Sequence, residues 1–356
     1  MKIVHCADIH FDSPFSELSL KEAQIRRDDI RKTFARIIDL TKEVNAECLV
    51  IAGDLFDGKN VSKMTLDFII SKFAEIKNTH VLICAGNHDP KNAKSYYNLI
   101  NWGENVHIFD TVPETLEIDG LKFAGVSFFD ANAQKNILSE SNLDVLRECD
   151  VLVMHANLGG DDYNPVSKEF ISSLNAKYFA SGHIHKSNLE KIGNTLFCYP
   201  GCPEGRGFDE LGKKGVYLAD VTKTSATAEF YPLSQREYEE RNIDVSGQNS
   251  YEGILGKILL EGKIEPRNLY KIVLKGECDF VIDTAVLKDA ISAFFVKIKD
   301  ETVQKIDYES LADDFTLKGI FVKKMLEKMK KEGETEELKR ALSFGLSAIR
   351  KEKVSP

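Results

Sequence analysis

The sequence predicts an α/β protein in which two β-sheets stack face to face, flanked by helices. Three observations lead there. Over the first two-thirds, short apolar runs alternate with stretches of helical periodicity. From Tyr178 the chain passes into strand-like runs spaced by Gly, Asn and Lys turns, a progression that favours a sandwich over a single doubly wound sheet. Composition is that of an ordinary globular protein, 43% hydrophobic and 29% charged with nine Pro, and 356 residues are enough for a full core.

Taken in order, "KIVHCA", "CLVIAG", "HVLICAG", "LKFAGVSF" and "VLVMHA" read as buried strands that end in small or polar residues. Between them, Ser19 to Glu43 and Ser62 to Lys77 carry apolar residues at helical spacing, such as Ile30, Phe34, Ile37 and Ile38. "YFASGHIH", "TLFCYPG", "GVYLADV" and "ATAEFYPL" follow as further strands. After Pro232 the polar run "SQREYEERNIDVSGQNSYEG" marks a boundary. Beyond it the pattern predicts a helix near Tyr251 to Leu260, the strand "LYKIVLKG" and a helix near Thr284 to Lys299. From about Glu301 two amphipathic helices flank "KKEGET", with Phe321, Met325 and Met329 on one and Leu338, Leu342, Leu346 and Ile349 on the other. Those stripes either pack within their own domain or offer an apolar groove to a partner. The expected division is residues 1–232, 233–300 and 301–356.

Several classes are disfavoured. No apolar run approaches the roughly 20 residues that span a bilayer, and "MKIVHCADIH" lacks the long apolar region of a signal peptide, so a cytoplasmic protein without membrane contact is expected. The seven Cys form no C-x-x-C pair; Cys48 and Cys84 lie in apolar strands, where inert thiols are the rule. Cys198 and Cys202 flank "YPG", but a reducing compartment argues against a disulfide. A net charge of −9 opposes gripping DNA by bulk electrostatics, although bound cations can invert the local field.

The chemistry concentrates in short motifs at predicted strand ends: Asp8-Ile9-His10, Gly53-Asp54-Leu55-Phe56-Asp57, Gly86-Asn87-His88-Asp89, His155 in "VLVMHANLGG", and Gly182-His183-Ile184-His185. In an extended segment residues i and i+2 share a face, so Asp8 and His10 can reach one ion, as can His183 and His185. Ala52-Gly53 and Ala85-Gly86 permit tight turns close to an ion. The ligand candidates are Asp8, His10, Asp54, Asn87, His155, His183 and His185. They exceed what one ion with an open position needs, and suit two ions sharing a carboxylate. Carboxylate, imidazole and amide oxygen favour manganese or iron over an all-thiolate zinc site. Two metals about 3.5–4 Å apart clamp an in-line displacement at phosphorus, so the expected reaction is phosphoester hydrolysis.

This motif series resembles the calcineurin-like metallophosphoesterase superfamily. Within it, "HCADIHFDSPF", "AGDLFDG", "AGNHDP", "SGHIHK" and "YPGCPEGRGFDELGKKG" look like the SbcD/YhaO-type DNA repair exonucleases. The resemblance implies a four-layer α-β-β-α metallophosphoesterase sandwich with a small α/β cap domain and a C-terminal helix pair. It implies that Asp8, His10 and His185 hold one metal and Asn87, His155 and His183 the other, with Asp54 bridging. His88 would protonate the leaving oxygen, oriented by Asp89, and Asp57 would serve as a supporting residue. Manganese is the expected metal, with iron the other candidate.

The function implied is a 3′–5′ exonuclease and single-strand endonuclease acting on DNA, partnered by an SbcC-like coiled-coil ATPase, a homodimer or both. Lys186 and Arg206 are candidate DNA contacts, and Cys202 stands where a small polar residue is expected. Two alternatives are a phosphoesterase for cyclic nucleotides, nucleotides or phosphoproteins, and a non-catalytic scaffold.

Overall fold

The computed structural model describes residues 1–58, 60–131, 143–160, 162–304 and 306–350. Contacts divide the chain into one unit of Met1–Glu240 with Pro266–Tyr270 and a second of Arg241–Glu265 with Lys271–Pro356.

In the first unit, β1 (Lys2–Cys6) leads through α1 (Leu20–Glu43) to β2 (Cys48–Ala52), and α2 (Lys63–Ala74) leads to β3 (His80–Cys84). A short α3 (Tyr96–Leu99) precedes β4 (Val106–Ile108). Then come β5 (Glu114–Ile118), β6 (Leu121–Val126), α4 (Leu143–Arg147) and β7 (Val151–His155). A small ribbon of β8 (Asn157–Leu158) and β9 (Pro165–Val166) and the helix α5 (Lys168–Ser172) precede β10 (Tyr178–Gly182), β11 (Asn188–Ile192) and β12 (Thr195–Tyr199). The strands β13 (Gly215–Val221) and β14 (Ala226–Pro232) close the series.

Two six-stranded sheets result, ordered β14-β13-β1-β2-β3-β4 and β11-β12-β10-β7-β6-β5. The neighbours β1, β2, β3 and β4 run parallel, as do β6, β7, β10 and β12. Alternation along the central strands sorts their side chains into layers. Val4, Leu49, Ile51, Val81 and Ile83 pack with Ile30, Phe34 and Ile37 of α1 and Ile69 and Phe73 of α2. Their sequence neighbours Ile3, Cys48, Val50, Leu82 and Cys84 pack with Val151, Val153, Tyr178 and Ala180 of the other sheet. Leu152, Met154 and Phe179 cover the remaining face with Leu146 and Ile171. The expected four-layer sandwich is therefore present, with a continuous apolar layer between the sheets.

Local signals agree with this layout. Ser19 caps α1 in a capping box with Glu22, and Ser62 caps α2, so both helices begin where unpaired N–H groups find an oxygen. All seven Cys are buried and free.

Beyond β14 come the three strands β15 (Tyr238–Asp244), β16 (Leu269–Lys275) and β18 (Phe295–Asp300) of a further sheet, with α6 (Tyr251–Gly262), β17 (Glu277–Cys278), α7 (Thr284–Asp289) and β19 (Val303–Gln304). The helix expected to reach Lys299 stops at Asp289, and Phe295–Asp300 is strand. Val296-Lys297-Ile298-Lys299 alternates with period two and buries Val296, which overrides the helical reading. The short α8 (Tyr308–Ala312) then leads into α9 (Leu317–Glu332) and α10 (Glu336–Arg350). Val322 and Met329 bury against Leu342 and Leu346, with Phe321, Met325 and Leu338 beside them, so the apolar stripes pack on each other. Phe315, Leu317 and Ile320 stay exposed. Residues 351–356 of the segment read as 301–356 lie outside the described residues. Among the described residues no helix is long and apolar enough to cross a membrane.

One buried ion pair ties α1 to the loop after β12. The Arg26 guanidinium donates to Asp29 at 2.7 Å and to Glu204 and the Gly205 carbonyl at 2.7 Å each, wholly shielded from water. Removing one partner of such a pair strands a buried charge. Arg26→Ala is expected to lower the unfolding free energy by about 3–5 kcal/mol in a urea titration. A loss below about 1 kcal/mol would show that water enters and replaces the guanidinium.

Candidate metal centre

Parallel strands end at a common edge, and here both sheets contribute. β1, β2 and β3 deliver Asp8 and His10, Asp54, and Asn87 and His88; β7 and β10 deliver His155, and His183 and His185. The close approach of the sheets is visible at glycines. A Cβ on Gly53, whose φ is +92°, would sit 2.2 Å from His155 Nδ1, and one on Gly86 would sit 2.1 Å from Asp54 Oδ1. Only glycine lets these turns lie against the donors.

Asp8 and His10 do meet, but not through an extended segment. Both have left-handed backbone, at φ 53° and 51°, as does Asp54 at φ 51°. Such conformations cost energy in non-glycine residues and persist where surrounding contacts hold them. The holding contacts are the Asp8 and His10 amides, which donate to the Gly53 and Asp54 carbonyls at 3.0 Å each.

The donors sort into two groups. His10 Nε2 lies 3.2 Å from His185 Nε2, and Asp8 Oδ1 lies 3.8 Å from that same nitrogen. On the other side, Asn87 Oδ1 lies 3.1 Å from His155 Nε2 and 3.3 Å from His183 Nδ1. Asp54 stands between them: its Oδ2 is 3.7 Å from His10 Nε2 and 3.5 Å from His155 Nε2, while its Oδ1 accepts from the His88 amide at 2.9 Å. His183 and His185, two residues apart, thus face different groups rather than a common centre. His183 has φ 104°, outside the extended geometry that would align them.

The protons can be assigned from the second partners. His10 Nδ1 meets Asp57 Oδ1 at 3.1 Å, His185 Nδ1 meets Glu210 Oε1 at 2.7 Å, and His155 Nδ1 meets the Ala52 carbonyl at 2.9 Å. Carboxylate and carbonyl oxygens only accept, so Nδ1 of His10 and of His155 carries the hydrogen and Nε2 presents a lone pair; His185 Nδ1 also lies 3.1 Å from the Arg206 guanidinium, and the shorter contact to Glu210 favours the same tautomer there. Lone pairs and carboxylate oxygens therefore converge, 3.1 to 3.8 Å from one another. One proton could satisfy one pair, but a divalent cation satisfies a whole set, so the residues present fit metal ions.

Electrostatics act differently on the three rings. Burial pushes His10 below its ordinary value, toward the neutral ligand form. Burial and the neighbouring His155 push His183 down to about 4. His185 is raised, because Glu210 and Asp8 together outweigh the burial that opposes its charge.

The proton-bearing periphery differs from expectation in one respect. His88 is not held by Asp89. Its Nδ1 faces Asp57 Oδ1 at 3.4 Å, and that hydrogen bond raises its pKa above the ordinary value. Asp89 instead accepts from the Gly86 amide at 2.7 Å, the Phe56 amide at 3.1 Å and the Tyr97 hydroxyl at 2.6 Å. The resemblance implied Asp89 as the orienting carboxylate, but the side chains of this turn diverge and the carboxylate that His88 meets is that of Asp57.

Arg206 is likewise no loose surface cation. It is mostly buried and contacts Asp57 at 3.3 Å and Glu210 at 3.2 Å, bracing the two carboxylates that hold His10 and His185. Glu210 escaped the sequence reading because "GRGFDELG" carries no metal-ligand spacing. Cys202 is buried with its Sγ 3.2 Å from Glu210 Oε2, which gives that thiol an internal partner. Lys186 is exposed beside His185. His5 pairs with the Tyr178 hydroxyl at 2.8 Å inside the sandwich, away from these groups.

The sequence model of the calcineurin-like phosphoesterases matches residues 1–187. The chain belongs to that family. That family uses divalent metals, and the donor clusters at the strand ends are of a kind that could hold them. An uncharacterized metallophosphoesterase, YhaO, of Bacillus subtilis (strain 168) is 29% identical over 262 residues, covering 69% of this chain and 64% of that protein. DNA double-strand break repair protein Mre11 of Methanopyrus kandleri is 25% identical over 286 residues, covering 72% and 62%. Mre11 of Sulfolobus acidocaldarius is 23% identical over 353 residues, covering 90% and 91%. The match thus spans somewhat under two-thirds of the length of the first two relatives.

Glu210 offers a test of the donor assignment that leaves every proposed ligand in place. Glu210→Ala frees the His185 ring, and loss of such an outer partner typically weakens metal binding ~10–100-fold. Calorimetric titration with manganese is expected to show that drop with the far-UV spectrum unchanged. Unaltered affinity would mean that His185 is held by something other than Glu210.

Proposed function

We propose that the chain is a manganese-dependent nuclease that hydrolyses DNA phosphodiesters as a 3′–5′ exonuclease and single-strand endonuclease. The observation that carries this is the pair of donor groups joined by Asp54 Oδ2, with the exposed His88 alongside. Asp8, His10 and His185 would hold one ion, and Asn87, His155 and His183 the other, with Asp54 shared. Bound there, the two divalent ions would polarise the phosphate and activate the attacking water.

The remaining work falls to side chains. His88 is 44% exposed, open to a substrate, and its Nδ1–H is anchored on Asp57. Its Nε2 then delivers a proton to the leaving oxygen as the phosphorus–oxygen bond breaks, and Asp57 stabilises the imidazolium before transfer. Asp89 fixes the turn on which His88 stands.

The relatives named for double-strand break repair support DNA as substrate, and the net charge of −9 supports a shared grip. A partner of the SbcC type, a coiled-coil ATPase, would dock on the C-terminal helices, where Phe315, Leu317 and Ile320 are exposed. A homodimer would add to that grip.

With manganese, the purified protein is expected to degrade linear DNA. His88→Ala should slow this by about 10²–10⁴-fold. Elemental analysis of the variant should find the metal content of the wild type. Full activity in the variant would remove His88 as the proton donor, and lost metal would make it a ligand instead.

A further inference from the structure

Next to His88 opens a cavity of about 700 Å³. That volume suits a small organic group, within the roughly 300–1,000 Å³ of ligand pockets. His88 and Asp89 belong to its lining, while none of the proposed metal ligands does. Its walls include Phe56, Tyr96, Leu99 and Phe129.

Part of this wall is rigid. Phe56 is almost fully buried, with its ring centroid 6.0 Å from Tyr96, 5.8 Å from Tyr97 and 6.3 Å from Trp102. Through the Phe56 amide and the Tyr97 hydroxyl, Asp89 ties that aromatic group to the turn bearing His88. The rest of the wall is open: Phe129 is 64% and Leu99 67% exposed. Phe129 is placed by its neighbour, because the Phe128 amide donates to the Ala85 carbonyl at 3.1 Å and the Phe128 carbonyl accepts from Lys91 at 2.7 Å. Large apolar side chains left facing water beside a catalytic turn are suited to a flat apolar ligand.

We propose that this cavity receives the nucleobase of the nucleotide that carries the leaving oxygen, stacked against Phe129 and Tyr96. The inference rests on the nuclease reading above, with His88 as proton donor. A proton donor stands beside the leaving oxygen, and in-line attack brings water from the opposite side of phosphorus. Whatever departs with that oxygen therefore extends past His88, toward the space His88 lines. A nucleobase has the shape for it, and aromatic rings stack on any base without reading its sequence. Exposed Lys94 on the same lining gives a cation for the phosphate that follows. Because a base must leave its helical stack to enter, frayed ends and single strands become the favoured substrates.

The test uses single-stranded oligonucleotides with one cleavable linkage and manganese. An abasic residue is placed on one or the other side of that linkage, and the product end bearing the phosphate shows which side carried the leaving oxygen. Wild type should cut about 5- to 150-fold more slowly when that side is abasic, and close to normally when the other side is. Phe129→Ala, at an exposed position that folding does not depend on, should cut the intact linkage more slowly and lose most of that discrimination. Equal rates on all three substrates, or discrimination undiminished in Phe129→Ala, would overturn the cavity assignment and leave the nuclease reading standing. Failure of wild type to cut any of them would overturn both.

Discussion

The structure depends on holding electron-rich side-chain atoms close together at one edge of the two sheets. Asp54 Oδ2 faces two imidazole nitrogens, and His10 Nε2 faces His185 Nε2 at 3.2 Å. Left in water, these groups would solvate separately. Here each is turned inward by a hydrogen bond on its far side: Asp57 on His10, Glu210 on His185, the Ala52 carbonyl on His155 and the His88 amide on Asp54. The outer partners fix both tautomer and aim, so the lone pairs point at positions a cation fills. Repulsion among the donors is the cost, and the fold must be stiff enough to bear it.

That stiffness comes from the sandwich. Left-handed backbone at Asp8, His10 and Asp54 is held by amides of one strand end donating to carbonyls of the next. The apolar layer between the sheets leaves the strands no freedom to slide, because a one-residue slip would send Val50 and Leu82 to the wrong face. Further out, Arg26 clamps Glu204 and Gly205 to α1, and the same loop runs on to Arg206 and Glu210. A buried ion pair at the root of that loop thus bears on the orientation of His185.

Asp57 connects the two kinds of chemistry at the edge. One of its oxygens faces both His10 and His88, so a buried imidazole of the donor cluster and an open one share a carboxylate. His10 is buried and pushed toward neutrality, while His88 is open and raised above its ordinary value. Environment, rather than residue type, sets the two rings apart here.

The sequence by itself determined the layers and the strand ends. Apolar runs short enough to be strands, each closing on a small residue and then a polar one, place Asp8, Asp54, Asn87, His155 and His183 at one edge, because parallel strands all point their ends the same way. Periodicity also located α1 and α2, and failed at Phe295–Asp300, where a short alternating stretch borrowed the look of a continuing helix. What sequence could not determine were contacts between positions with no common period. His88 answers to Asp57, 31 residues earlier, rather than to adjacent Asp89; His185 answers to Glu210; and Arg206 is half-buried between carboxylates instead of facing solvent freely. Those choices belong to the tertiary structure, since only packing sets the direction in which a side chain leaves a left-handed turn and the partner it then meets.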